Sequence, residues 1–329
     1  MIWLFVVLFA GQFDTTFHAG LVALNQNNLS VAEAQLESAS KLEPRDARVW
    51  LALAQTYRKL DKTAQAQAAA GNAEAFASSA AMFKGLALYY SEAADFAKGA
   101  EMLRAAIRRN AFDESCYFDL AQLYFKQQNF AAALETLNAG RTHFDKSAQI
   151  ELAAGVAYYG LRRFPEATDA FLRTIQLDPA VPQPYAFLGR MLDQAEDKLP
   201  KITEVFAGFA RSAPDDYMSS FLYGKVLALQ GSADAEAQLR KSIKQNGQFW
   251  ESHFELGVLL DRRGEFEGAA REIRQSILLN PDDPAPHYRL ARLYDRLGKT
   301  VEAGAERELH SKLTAAQATQ AGMGMAGIK

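Results

Sequence analysis

The chain has 329 residues, 49% of them hydrophobic and 23% charged, which is enough apolar material for a core and excludes a disordered chain. A formal net charge of -3 supplies no positive field of the kind that draws proteins onto nucleic acid or anionic lipid, so neither is expected as a partner. The single cysteine, Cys116, excludes an internal disulfide and leaves the compartment unread from cysteine pairing.

The first ten residues, MIWLFVVLFA, are apolar without a break. They fall short of the roughly 20 residues of a membrane-spanning helix and fit the roughly 7–15 of a signal-peptide apolar region. Two features count against export. No Lys or Arg precedes the stretch, the first basic side chain being Lys41, and Leu8 and Phe9 stand where cleavage after Ala10 or Gly11 would want a small residue. Residues 1–12 are expected to be an apolar leader, a truncated signal peptide sending the chain to the periplasm or outside the cell. A cytoplasmic location is the alternative, and membrane association is expected only if the leader is retained.

From residue 13 to 313 the sequence repeats. Segments beginning near Phe13, Ala47, Ala80, Glu114, Ala148, Pro182, Tyr217, Trp250 and Pro284 follow one another at 33, 34 or 35 residues, the length of a helix–turn–helix unit. The eighth position of every segment is Gly or Ala: Gly20, Ala54, Ala87, Ala121, Gly155, Gly189, Gly224, Gly257 and Ala291. Antiparallel helices packed about 8–10 Å apart bring their backbones close at a few points, where only a small side chain fits. Small residues recur at the twentieth position (Ala32, Ala66, Gly99, Ala133, Ala167, Ala269) and seven residues later (Ala39, Ala73, Ala106, Gly140, Thr174, Ser276). Between them Leu36, Leu103, Leu137, Phe171 and Ile273 are the large knobs. Pro44, Pro179, Pro214 and Pro281 stop the second helix. Gly264 and Gly298 open the turn inside their segments, and Tyr57, Tyr90, Tyr124, Tyr158 and Tyr294 stand one turn beyond the small contact.

The regularity lapses in three places. The second segment has Ala70 where a large knob belongs and Ser78 in place of proline, which predicts a thin core. The sixth segment is one residue long and the seventh one short, so the path should change near residues 195–247, with Pro200 in the first turn of its helix. Beyond Leu313, residues 314–329 lose their large apolar side chains. Their alanine-rich half is expected to extend the last helix and their Gly/Met end to be a flexible tail.

These positions resemble the tetratricopeptide repeat, W-x-x-L-G-x-x-Y followed by A, F, A and P at fixed offsets. The match is fullest in FWESHFELGVLLDRRGEFEGAAREIRQSILLNP at 249–281 and ELAAGVAYYGLRRFPEATDAFLRTIQLDP at 151–179. The resemblance implies an all-α fold, a right-handed superhelical solenoid of about nine antiparallel helix pairs. It also implies that first helices line a concave groove, with the fifth, ninth and twelfth positions facing it. Five fifth positions are aromatic: Phe17, Phe118, Phe221, Phe254 and Tyr288. Arg190, Lys225 and Arg292 stand at the ninth, and Asp193, Asp261 and Asp295 at the twelfth. Phe118, Arg190, Phe221, Lys225, Phe254, Tyr288 and Arg292 are the candidate partner-binding residues. Packing between neighbouring first helices is the competing reading of the aromatics. No segment pairs a fifth-position Lys with a ninth-position Asn, as relatives that capture chaperone C-termini do.

Signals for chemistry are weak. His18, His143, His253, His287 and His310 show no metal-ligand spacing. His253 and His287 share the fourth position of adjacent segments and are read as filling a half-buried aromatic slot, and Cys116 as a packed small hydrophobe. Gly322, Gly324 and Gly327 spell G-x-G-x-x-G outside the strand–helix context a dinucleotide needs. Asn28-Leu29-Ser30 matches a glycosylation acceptor, a common chance pattern. No acid/base pair or nucleophile can be nominated, so no enzyme, metal or cofactor is expected. The expected function is a non-catalytic scaffold binding a protein or peptide segment in the groove. The alternative is the recognition subunit of a carbohydrate-related or secretion-linked enzyme complex.

Overall fold

The eighth-position rule has a direct steric cause in the computed structural model. A Cβ added to Gly20 would lie 2.7 Å from Leu36, one at Gly155 would lie 2.5 Å from Phe171, and one at Gly257 would lie 2.7 Å from Ile273. Each glycine of the first helix is the hole into which the large knob of its own second helix fits. The structure describes residues 2–326, with side chains for 11–195 and 197–319. Among them it contains eighteen α-helices, two short 3-10 turns and no strand.

The chain divides into two units, residues 1–179 and 180–329. The first holds five helix pairs: α1 (Ile2–Asn25) with α2 (Leu29–Leu42), α3 (Ala47–Lys59) with α4 (Thr63–Phe76), α5 (Ala80–Glu92) with α6 (Phe96–Arg109), α7 (Glu114–Lys126) with α8 (Phe130–Arg141), and α9 (Ala148–Gly160) with α10 (Phe164–Leu177). The second holds four: α11 (Gln183–Arg190) with α12 (Leu199–Ser212), α13 (Tyr217–Leu229) with α14 (Ala235–Gln245), α15 (Trp250–Arg262) with α16 (Phe266–Leu279), and α17 (Pro284–Arg296) with α18 (Thr300–Ala326).

Capping starts several of these helices. Asp46, Ser79, Asp95, Asn129, Ser147, Asp216 and Asp283 each accept a backbone N–H of the first turn, an interaction worth about 1 kcal/mol apiece. At the other end, α2, α10, α12 and α16 stop two residues short of Pro44, Pro179, Pro214 and Pro281, because the residue before a proline is disfavoured in the helical region.

Eight of the nine pairs turn through one backbone device. A residue in the left-handed region follows the first helix, and the next N–H reaches back to the carbonyl five residues earlier at 2.8–3.0 Å, as Lys62 does to Tyr57 and Glu265 to Leu260. This is the Schellman closure, which satisfies carbonyls the helix end would otherwise leave open. The exception is the sixth segment. Its α11 is 8 residues long and gives way to 3-10 turns at Leu192–Gln194 and Glu196–Lys198 before α12 begins with Pro200 in its first turn. Met191, Leu192 and Ala195 are buried there, so the irregular stretch is part of the core. The extra residue is spent in these turns, and a Cβ on Gly189 would meet Leu222 of α13, at 2.3 Å, in place of a knob from α12.

The second segment is thin as expected, since every buried residue of α4 is an alanine: Ala66, Ala69, Ala70 and Ala73. Its missing volume comes from the next pair. Tyr89 of α5 is buried, stacks edge-on against Tyr90 at 5.2 Å and donates its hydroxyl to the Ala66 carbonyl at 3.4 Å.

At the ends, α1 runs unbroken from Ile2, so the leader is continuous with the first helix of the array, although side chains 2–10 lie outside the described residues. No helix among the described residues is long and apolar enough to cross a membrane. α18 takes in the alanine-rich stretch, whose residues favour helix strongly, and continues through Gly322 and Gly324 to Ala326. The last three residues, Gly327 with them, lie outside the described residues.

Candidate functional site

The fourth-position slot is a structural device. Trp50 Nε1 donates to the Pro44 carbonyl at 2.8 Å, Tyr117 Oη to Ala111 at 3.2 Å, and His287 Nε2 lies 3.2 Å from the Pro281 carbonyl, each reaching six residues back. His253 and His287 are buried, with Nδ1 2.8 Å from Glu272 and 2.6 Å from Glu306. The two histidines therefore pin a first helix to its second helix. Cys116 is fully buried, and burial pushes its thiol up to about 11, which suppresses the reactive thiolate. No group of His, Cys, Asp and Glu among the described residues is arranged to hold a metal ion.

In the second unit the candidate aromatic row is graded. Phe221 on α13 is 6% exposed and meets Phe249 edge-on at 5.0 Å, while Phe249 also lies 5.0 Å from Tyr217. That is packing. Phe254 on α15 is half-buried, with its ring 6.1 Å from Trp250 one turn back. Tyr288 on α17 is 48% exposed and rests 5.4 Å from the His310 ring of α18. Lys225 lies over Phe221 and forms a 3.0 Å ion pair with Glu255, which ties α13 to α15. Two of the three twelfth-position acids are likewise engaged, Asp261 with Arg296 and Asp295 with Arg307. Arg190 and Arg292 are exposed and form no ion pair among the described residues, Arg292 lying 5.9 Å over Tyr288. Close by, Glu251 has one carboxylate oxygen buried without a partner. Burial raises its pKa, although Arg190 and Lys225 pull it down.

In the first unit Phe118 is half-buried and packs on the cluster of Ala121, Leu137 and Ile150. The feature that sequence reasoning missed lies beside it. First helices α3 and α5 pack together, as do α7 and α9, but α5 and α7 pack less closely and are joined by the hydrogen bond from Lys84 to Ser115. A cavity of about 400 Å³ opens beside them, its lining made of the apolar Gly85, Ala87, Leu88, Leu103 and Leu123 and the polar Lys84, Ser91, Asp119, Gln122 and Lys126. Leu88 is 58% exposed. Lys84 Nζ bonds Asp113 at 3.0 Å and Ser115 at 2.6 Å. Burial pushes the Asp113 carboxyl up, but the bonds from Ser115 and Lys84 outweigh it and leave the pKa lowered. For Asp119 burial prevails and the pKa is raised, with Lys84 only partly opposing. Lys84 and Leu88 occupy the fifth and ninth positions of their segment, so their place on the groove side was readable from the period. The looser packing of α5 against α7 was not.

Two further clefts, between second helices, are occupied by the protein's own charges. One of about 370 Å³ has Arg104 bonded to the Tyr124 hydroxyl at 2.9 Å. The other, of about 360 Å³, holds the buried Glu151 between Arg141 at 2.6 Å and Arg173 at 3.3 Å.

This architecture agrees with a family-level comparison of the sequence. The tetratricopeptide-repeat model matches residues 17–81, 84–145, 118–182, 227–275 and 254–309, more than half of the chain. The chain belongs to the tetratricopeptide-repeat family. The matches skip 183–226, the stretch where α11 is cut short and the common turn is lost. Among solved structures, the C-terminal part of a TPR repeat-containing protein from Cytophaga hutchinsonii is 13% identical, aligning over 83% of this chain and 99% of its own with a TM-score of 0.52. YrrB, a TPR protein with an unusual peptide-binding site, is 22% identical over 56% of this chain and 94% of its own, with a TM-score of 0.46. A tetratricopeptide repeat protein from Parabacteroides merdae is 14% identical over 86% and 98%, with a TM-score of 0.42. No curated protein matches the sequence.

Proposed function

We propose that the chain is a non-catalytic protein-interaction scaffold that takes a segment of a partner protein against its first helices. The observation that carries this reading is the cleft between α5 and α7. Leu88 stands 58% exposed at this cavity, beside the core residues Ala87, Leu103 and Leu123, and an apolar concavity with a few polar groups at its rim is the usual form of a binding site. Arg190, Arg292 and Tyr288 are exposed on first helices of the second unit and are candidate contacts within that unit. The test is photo-crosslinking in the native host, with benzoylphenylalanine placed at Leu88 and, as control, at Val301, which is exposed on α18. A discrete partner adduct at Leu88 and none at Val301 is expected. Equal adducts at both positions would defeat the groove reading. We also propose that MIWLFVVLFA directs export, which predicts a mature N-terminus near residues 11–13. N-terminal sequencing of the native protein that returned intact Met1 from the soluble cytoplasmic fraction would remove that proposal.

A further inference from the structure

The charges at the α5–α7 cleft are not balanced locally. Lys84 is a single cation serving two carboxylates, bonded to Asp113 and acting on Asp119 at longer range. That end of the cleft keeps one negative charge in excess. At the other end Lys126 lies 5.8 Å over the Phe96 ring and forms no ion pair among the described residues, leaving one positive charge. Asp119 and Lys126 are seven residues apart on α7, two turns along one face, or about 10 Å. Between them lies the cavity of about 400 Å³, with the exposed Leu88 in its lining.

We propose that this cleft recognises an extended partner segment in which an apolar residue is flanked, two positions away on either side, by one basic and one acidic side chain. The proposal rests on the groove reading above and deepens it. In an extended chain alternate side chains point the same way and recur about every 6.6 Å. Residues two before and two after the apolar one are therefore about 13 Å apart on its own side, a span that flexible side chains close onto the Asp119–Lys126 separation. The apolar side chain enters the cavity, the basic group approaches Asp119 and the acidic group approaches Lys126. Asp119 is exposed at the rim, its pKa raised by desolvation, and a cation brought to it favours the ionised form. The order of the two charges in the partner is free, because a reversed segment can run in the opposite direction along α7. What the cleft rejects is two like charges.

The full chain and fluorescein-labelled, N-acetylated heptapeptides test this by anisotropy. The probes carry a central Leu with Lys and Glu two residues away on either side, in both orders, and their Lys/Lys and Glu/Glu counterparts. Both mixed-charge probes should bind about fivefold or more tighter than either like-charge probe at low salt, since each partly exposed pair is worth up to about 1 kcal/mol. Lys126→Glu should move the preference to the Lys/Lys probe, and Asp119→Lys to the Glu/Glu probe. Equal binding of all four probes, or an order unchanged by either substitution, would overturn the charge rule. If replacing the central Leu by Gly, or Leu88→Asp, leaves binding intact, the cleft itself is not the site and the groove reading falls with it. Absence of binding by any probe at about 1 mM, the weakest useful affinity, overturns the proposal, while the crosslink at Leu88 reports separately on the groove. Both substituted positions are at the rim, and thermal melting confirms that the variants fold.

Discussion

The second and eighth helix pairs have the same backbone plan and opposite means of filling it. In α15 and α16, Ile273 fits the hole left by Gly257, and the turn uses Gly264 at φ 82°. In α3 and α4, the buried face of α4 is alanine throughout, and the turn uses Asp61 at φ 57°. Yet the closing hydrogen bonds are equivalent, Lys62 to Tyr57 at 2.9 Å and Glu265 to Leu260 at 3.0 Å. The difference teaches that the turn geometry is dictated by the carbonyls needing donors, whereas the core volume need not come from the pair it completes. The eighth pair fills its own hole; the second draws on Tyr89 of the third.

The largest expected effect tests that dependence. Tyr89→Ala should cost about 3–5 kcal/mol, as truncation of a large buried aromatic does, and the loss should appear in hydrogen exchange of α4 as well as α5. Exchange in α4 left at the wild-type rate would mean that the second pair closes without its neighbour.

Ile273→Ala should cost about 2–5 kcal/mol and leave the neighbouring α17 less affected than α15, because the knob fills a hole in its own pair. Chemical denaturation with exchange read helix by helix checks this. In the unmodified chain the amides of residues 47–79 should exchange faster than those of 250–283, since repeat stability is a sum of local terms. Equal protection would erase the contrast between the pairs.

Gly257→Ala should destabilise by about 1–3 kcal/mol, since its Cβ would sit 2.7 Å from Ile273 and overpacking carries that penalty. Ile273→Val in the same chain should recover part of the loss; a purely additive double mutant would show that the two side chains do not oppose each other.

The smallest effects belong to the turns. Ala94, at φ 59°, is held where a Cβ is unfavourable, so Ala94→Gly should stabilise the third pair by up to about 1 kcal/mol, the αL penalty less the entropy of glycine. Gly264→Ala should do the reverse by about 1 kcal/mol. Melting curves that moved both variants in the same direction would show that something other than φ governs the turn.

Much of the helix pattern was legible in the sequence because it follows from contacts within a pair. Gly or Ala at the eighth position, a knob sixteen residues later and proline after the second helix are short-range requirements, and each is written in a residue type. The turns were legible only where glycine marks them. Asn27, Asp61, Ala94, Gln128 and Arg162 take the same left-handed conformation, and nothing in Gln or Arg announces it; the conformation is imposed by the helix end that must be closed. The slot reading of His253 and His287 was visible as position, but their partners Glu272 and Glu306 on the facing helix required the pair to be assembled.

For the candidate site the division is sharper. The sequence by itself placed Lys84, Phe118, Phe221, Phe254 and Tyr288 at one position of the repeat, and this much periodicity determines. Only the tertiary structure decided that Phe221 packs against Phe249, that Tyr288 stays exposed, and that a cavity opens between α5 and α7 with Leu88 exposed beside it. The spacing of two first helices is set by the sum of contacts that α6, α8 and their neighbours make around them. No single residue carries that sum, and a period of 34 residues repeats the positions without repeating the gap.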